Sequence, residues 1–383
     1  MNPTISPPAS LEILSLAGQT GEKEKVEFSY VPSLDGLRAV AVLMVVFFHA
    51  ILVFPAFQTG FSGGFLGVDV FFVLSGFLIT SILLKEFDKT QNINLPNFYL
   101  RRFLRLMPAY WFHLAVLFFL GRFLFSSSEV ELLNSHQNFL YAFFYLTNWQ
   151  RALNGSEITG LLSHTWSLAI EEQFYLVWAG CLLLMLRRFG RKTIVSITGG
   201  LIIVTAFFRA IQYQGEGSVD FLYNAFNSRM DALLIGCLVG QFLSWWKLPE
   251  RFLNSRGFDL AALISVLVSV SVFFNLPASY KTPLLYQGGL TIFAVSVGFL
   301  LIWLIKRPKN RIHKLLETSP FIWVGKTSYG LYLWHSAAIA FVQFSPFPPV
   351  FKLISALILA GSITAVSYFA IELPFLKLKE KFK

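Results

Sequence analysis

The chain has 383 residues, 55% of them hydrophobic and only 14% charged, with a formal net charge of +10. Roughly a quarter of a soluble domain's residues are charged, so this composition excludes a water-soluble fold. The basic surplus gathers in particular loops, which points to membrane topology and anionic lipid rather than nucleic acid.

Residues 1–30 are polar and mixed in charge ("TGEKEKVEF") and lack a signal peptide's apolar core. They are predicted to form a disordered cytoplasmic tail. Ten apolar runs of bilayer length follow, at 38–57, 65–84, 105–124, 164–186, 193–212, 229–246, 258–276, 284–305, 321–344 and 350–371. The aromatic stretch "NFLYAFFYLTNW" at 138–149 is too short to span and reads as interfacial or re-entrant. The fold class is therefore all-α and polytopic, with one membrane domain over residues 31–376 and a basic tail at 377–383.

Lysine and arginine crowd alternate loops: 85–105, 187–192, 247–257, 306–319 and the tail. The opposite loops hold only Arg122, Arg151, Arg209, Arg229, Lys281 and Lys352. The positive-inside rule then puts both termini in the cytoplasm, which requires an even number of spans. Cys181 and Cys237 lie in apolar runs and read as small buried side chains, without metal or disulfide spacing.

Ionisable residues inside these runs are costly, and so are candidates for function. The first run, "SLDGLRAVAVLMVVFFHA", places Arg38 at its cytoplasmic mouth and His49 eleven residues further. That is about 16 Å along a helix, at 1.5 Å per residue and close to three turns, so both share a face. Asp35 can cap this helix or pair with Arg38. A neutral imidazole at mid-depth suits a general base; the plainer reading is a packed histidine. In "FYLRRFLRLMPAYW", Arg102 and Arg105 stand just before the third span, on Arg38's side of the membrane. Any single arginine there reads as an ordinary anchor, but the cluster suits phosphate recognition.

The fourth span, "LLSHTWSLAIEEQFYLVWAG", holds adjacent Glu171 and Glu172, with His164 seven residues ahead of Glu171 on the same face. The glutamates suit proton handling or a structural pairing; Trp166 and Tyr175 suit a sugar-binding wall or, more simply, an interfacial belt. Asp69, Arg229, Asp231, Tyr329, His335 and Glu372 complete the polar punctuation. Arg229 with Asp231 reads as an ion pair at the outer rim. Gly67, Gly76, Gly236 and Gly240 read as close helix contacts.

In order, the segments "SLDGLRAVAVLMVVFFHA", "GGFLGVDVFFVLSGFLIT", "FYLRRFLRLMPAYW", "LSHTWSLAIEEQFYLVW", "SRMDALLIGCLVG", "SYGLYLWHSA" and "IELPF" resemble the acyltransferase-3 family of integral membrane O-acyltransferases. The resemblance runs from about residue 33 to 375, nearly the whole chain. It implies that Arg38 and His49 form a motif required for activity. It implies that Arg102 and Arg105 help bind a cytoplasmic acyl-CoA. It implies acceptors such as surface polysaccharides, peptidoglycan, glucans or lipids. Many members carry a fused hydrolase-like domain; this chain is expected to be the stand-alone form. One departure is "LWHSA", where the family often has a proline soon after the histidine.

The expected function is transfer of an acyl group, acetyl by default, from acyl-CoA to a hydroxyl of a cell-envelope sugar or glycolipid. His49 would be the base, with Glu171, Glu172 or His335 orienting base or sugar. His164, Trp166, Asp69, Asp35, Arg229, Asp231, Tyr329 and Glu372 are possible supporting or acceptor residues. No metal or redox cofactor is implied. The rivals are a transporter or flippase for a lipid-linked sugar, for which no internal repeat is seen, and a silent membrane scaffold.

Overall fold

Where no water reaches, a helix is the simplest way for a chain to satisfy its own backbone hydrogen bonds. A computed structural model describes residues 30–54, 62–123, 136–275, 281–307 and 309–382. The predicted tail up to residue 29 and Pro55 lie outside the described residues. No strand occurs among the described residues.

Each predicted run coincides with a helix. These are α1 (Pro32–Val53), α2 (Gly67–Thr90), α3 (Leu95–Phe123), α4 (Trp166–Arg188) and α5 (Arg191–Gln212). Then come α6 (Phe226–Trp245), α7 (Arg256–Asn275), α8 (Leu290–Lys306), α9 (Ser328–Gln343) and α10 (Pro349–Ser367). Seven of them, α1 to α5, α8 and α10, are long and apolar enough to cross a bilayer. The chain is a multi-pass membrane protein. The end of the chain folds as a helix, Leu373–Lys379, and a short turn, Glu380–Phe382.

Three boundaries differ from expectation in ways that matter for the site. First, α3 begins at Leu95, ten residues earlier than predicted, so Arg102 and Arg105 lie within the helix and not in the loop before it. The Asn94 side chain caps it, accepting the Asn97 N–H at 3.1 Å, and Leu- and Arg-rich sequence propagates it. Second, α4 begins at Trp166, after a tight 3₁₀ segment, Ser156–Thr165, which holds His164. Third, the predicted 321–344 helix breaks at Thr327 into Ser319–Lys326 and α9. The Thr327 hydroxyl bonds back to the Trp323 carbonyl at 2.9 Å, a contact that competes with helix continuation. The aromatic 138–149 stretch forms two short helices, His136–Phe143 and Thr147–Asn154.

The core centres on the crossing of α2 and α6. Added Cβ atoms at Gly76 and Gly236 would collide with the Leu233 and Val73 carbonyls respectively, so the two backbones touch there. Gly67 and Gly240 likewise sit against α1 and α2. Small residues are what let helices associate where lipid is as apolar as leucine. Cys237 is buried on α6, but Cys181 is exposed on α4, contrary to the sequence reading.

Gly236→Val should force α2 and α6 apart and lower stability by at least about 1–3 kcal/mol, the usual cost of overpacking. Gly180→Ala on α4, where nothing lies within 4 Å of the new methyl, should leave stability unchanged or slightly raised. Thermal unfolding of the two variants in detergent checks the contrast.

Candidate active site

The helix boundaries stack the polar side chains in two tiers. The lower tier comes from Arg38 on α1, Arg102 and Arg105 on α3, Glu171 and Glu172 on α4, and Ser328 and Tyr329 on α9. Arg38, Arg102, Arg105, Glu171, Ser75, Ser328 and Tyr329 all line one cavity. The Arg38 guanidinium donates to the Ser328 hydroxyl at 3.0 and 3.2 Å. Arg102 lies over the Tyr175 ring at 3.7 Å and pairs with Glu172 at 3.7 Å. Glu171 accepts from the Ser75 hydroxyl at 2.9 Å. Arg105 has no hydrogen-bond or ion-pair partner among the described residues. Its charge faces the cavity. Three guanidinium groups against one paired and one hydrogen-bonded carboxylate leave the cavity able to take an anion.

Glu372 is buried on a π-type turn, Tyr368–Glu372, at the end of α10 and faces Gly330. Arg105 and Arg38 are the cations that act on it electrostatically. Tyr329 donates its hydroxyl to the Leu106 carbonyl at 3.0 Å, tying α9 to α3. Asp35 neither caps α1 nor pairs with Arg38: it is buried and accepts the Tyr30 hydroxyl at 2.6 Å.

The upper tier is a file of histidines. His49 is four residues past Val45, whose carbonyl meets its Nδ1 at 2.9 Å. His335 Nε2 lies 3.3 Å from His49 Nδ1, and the two rings are 4.9 Å apart. His335 Nδ1 faces the Tyr332 carbonyl at 2.6 Å. Ser336 bridges onward, 3.4 Å from His335 Nε2 and 3.1 Å from His164 Nδ1. His113, fully buried, closes the file 5.8 Å from the His164 ring. Both of its ring nitrogens are buried without a partner among the described residues, as is His164 Nε2.

His113 was not singled out from the sequence, although a signal was there: it follows Arg102 by eleven residues, the spacing of Arg38 and His49. In both helices this puts a histidine about 16 Å beyond an arginine on the same face. Among the described residues no group of three or more His, Cys, Asp or Glu side chains converges as a metal site.

Tyr332 and Ser167 stand between the tiers. Both line the cavity, and no histidine does. Their hydroxyls meet at 2.6 Å, and Tyr332 donates to the His164 carbonyl at 2.7 Å. The two glutamates therefore stay with the arginines, and His335 is the side chain that reaches His49. His164 and Glu171, expected on one helical face, go to different tiers, because the 3₁₀ segment has a different twist per residue from α4.

The remaining candidates form a separate buried network. Arg229, 1% exposed, donates to both Asp69 oxygens at 3.0 Å. The Tyr223, Trp166 and Phe72 rings surround the same guanidinium at 4.9, 5.8 and 5.9 Å. Asp231 pairs instead with Arg209 on α5 at 2.7 Å and accepts from Thr291 on α8 at 2.6 Å. The expected Arg229–Asp231 rim pair is thus replaced by two interhelical pairs. Residues two apart on a helix point to different neighbours, and each charge finds its partner across a helix contact. Trp166 and Tyr175 are buried in the bundle and form no interfacial belt; Tyr175 lines the arginine cavity and Trp166 does not. Arg151, Arg209 and Arg229, expected in outer loops, are buried within the protein.

Arg229→Met should leave Asp69 charged and alone and cost roughly 3–5 kcal/mol. The double change Arg229→Met with Asp69→Leu should recover most of that loss. A double-mutant cycle on unfolding temperature in detergent measures it.

Comparison with known proteins follows the same lines. The family described as an acyltransferase domain matches residues 31–372. The chain is 35% identical over 317 residues to the peptidoglycan O-acetyltransferase OatA of Listeria monocytogenes, covering 80% of this chain and 49% of that protein. It is 32% identical over 365 residues to the O-acetyltransferase OatA of Staphylococcus aureus strain NCTC 8325, covering 91% of this chain and 57% of that protein. The chain thus spans about half the length of these relatives. No solved structure matches it.

Proposed function

The chain belongs to the acyltransferase-3 family, and from that premise we propose that it transfers an acetyl group from acyl-CoA to a hydroxyl of a cell-envelope polysaccharide. The observation that supports this most is the convergence of Arg38, Arg102 and Arg105 on one cavity, with a histidine file one tier beyond it. A polysaccharide acceptor agrees with the name of the Listeria relative, a peptidoglycan O-acetyltransferase. In this reading all ten long helices cross the membrane and both termini are cytoplasmic. The arginines then face the compartment in which acyl-CoA is made.

The arginines hold the phosphates of the donor, and the pantetheine arm extends up the cavity toward Tyr332. His49 takes the proton of the acceptor hydroxyl as its oxygen attacks the thioester carbonyl. The C–S bond breaks and CoA leaves as the thiol. Acyl-CoA is a co-substrate, and the scheme needs no resident metal or redox group. A transporter of lipid-linked sugar finds no support in the relatives, which bear O-acetyltransferase names.

The test is CoA release and label transfer to envelope glycan from radiolabelled acetyl-CoA, in membranes carrying the full chain. His49→Ala should lower transfer by about 10²–10⁴-fold, the usual range for a lost general base. Arg105→Met should raise the KM for acetyl-CoA about tenfold or more with a smaller effect on kcat, as expected for loss of one charge-assisted contact to phosphate. Folded wild type that releases no CoA with any acyl-CoA, or a His49→Ala variant as active as wild type, would overturn the reading.

A further inference from the structure

A general base that becomes cationic inside a membrane protein needs a partner for its second nitrogen. Serine hydrolases give that role to a carboxylate. Here Glu171 and Glu172 remain in the arginine tier, Glu171 bonded to Ser75 and Glu172 paired with Arg102. The group that meets His49 Nδ1 from another helix is His335 Nε2, at 3.3 Å.

The proton positions in the file follow from its carbonyl contacts. A carbonyl only accepts, so a ring nitrogen facing one carries the proton. That protonates His49 Nδ1 on Val45, His335 Nδ1 on Tyr332 and His164 Nδ1 on Leu161. His49 Nε2 is left with a free lone pair for a hydroxyl proton. His335 Nε2 is likewise a lone pair, and two donors compete for it: His49 Nδ1–H at 3.3 Å and the Ser336 hydroxyl at 3.4 Å. The one His164 Nδ1–H is shared between the Leu161 carbonyl at 3.0 Å and the Ser336 oxygen at 3.1 Å, which leaves the Ser336 hydroxyl proton for His335.

We propose that His335 is the positioning residue of His49, taking the place of a triad carboxylate, and that Ser336, held by His164, competes with His49 for the same lone pair and so limits its basicity. This rests on His49 being the base of the proposed acyl transfer. The proton balance is closed. His49 Nε2 takes the acceptor's proton while the O–C bond forms. The His49 Nδ1 proton is shared with His335 Nε2 as the cation develops. As the C–S bond breaks, the Nε2 proton passes to the thiolate and Nδ1 regains its own. Each element packed here contributes to the field at the pair: His113 from α3, His164 from the 3₁₀ segment, Tyr332 and Ser336 from α9, and the charge of Arg151 from the Thr147–Asn154 helix.

Two substitutions should move His49 in opposite directions. His335→Phe keeps an aromatic ring but removes the acceptor. The His49 cation keeps the Val45 carbonyl but loses its second acceptor, and the acidic limb of the kcat profile should move to lower pH by about 0.5–1 unit, with a fall in kcat. Ser336→Ala removes the competing donor. His335 then serves His49 alone, and the limb should move to higher pH by a similar amount. His335→Gln, which restores a carbonyl acceptor, should bring the limb back toward wild type.

Carbethoxylation of His49 by diethyl pyrocarbonate, followed by peptide mass against pH, reads the same titration without turnover. Limbs that stay in place in both variants, or move the same way, would show that His335 only packs. Shifts as described in the reagent profile with no acetyl transfer by wild type would sink the proposed function while leaving the pairing intact.

Discussion

The cost of placing charge in a medium that water cannot enter governs this protein. Two aspartates and two arginines on α2, α5 and α6 are almost fully buried, and each is matched across a helix contact. These pairs contribute little net stability against an apolar replacement. Their effect is to fix which helix faces which, because a slipped register would leave a charge alone. The glycine contacts between α2 and α6 act in the same direction, through shape instead of charge.

Against that background the arginine cavity is conspicuous. Buried Arg209 and Arg229 each have a carboxylate, but Arg105 faces the cavity with Arg38 and Arg102 beside it. The local excess of positive charge is tolerable because the cavity admits water and, in the proposed reading, the phosphates of a donor. Glu171, Glu172 and Glu372 equal the three arginines in number, but only Glu171 lines the cavity with them, so the excess belongs to the cavity wall.

Helical rise then carries chemistry from one tier to the next. Eleven residues take α1 from Arg38 to His49 and α3 from Arg102 to His113, and seven take α9 from Ser328 to His335. An arginine tier and an imidazole tier thus lie about 10–16 Å apart on several helices at once. Tyr332 and Ser167, bonded to each other, form the boundary a thioester would have to reach.

Much of this was legible in the chain. Apolar runs of about 20 residues dictated membrane helices, because a helix satisfies its own backbone in lipid and a barrel strand is half that length, and local periodicity placed Arg38 and His49 on one face. Motif order identified the family, and the glycines announced close helix contacts. Partners across helices were not legible, because pairing depends on the relative depth and rotation of segments that sequence spacing does not encode. So Arg229 found Asp69 and not Asp231, Trp166 turned inward beneath a guanidinium, and the glutamates were set apart from His49. The early start of α3 and the 3₁₀ entry to α4 decided depth, through one asparagine cap and one tight turn. Only the tertiary structure put His335, Ser336, His164 and His113 in line with His49, because the four come from three separate stretches of chain that meet only when the bundle closes.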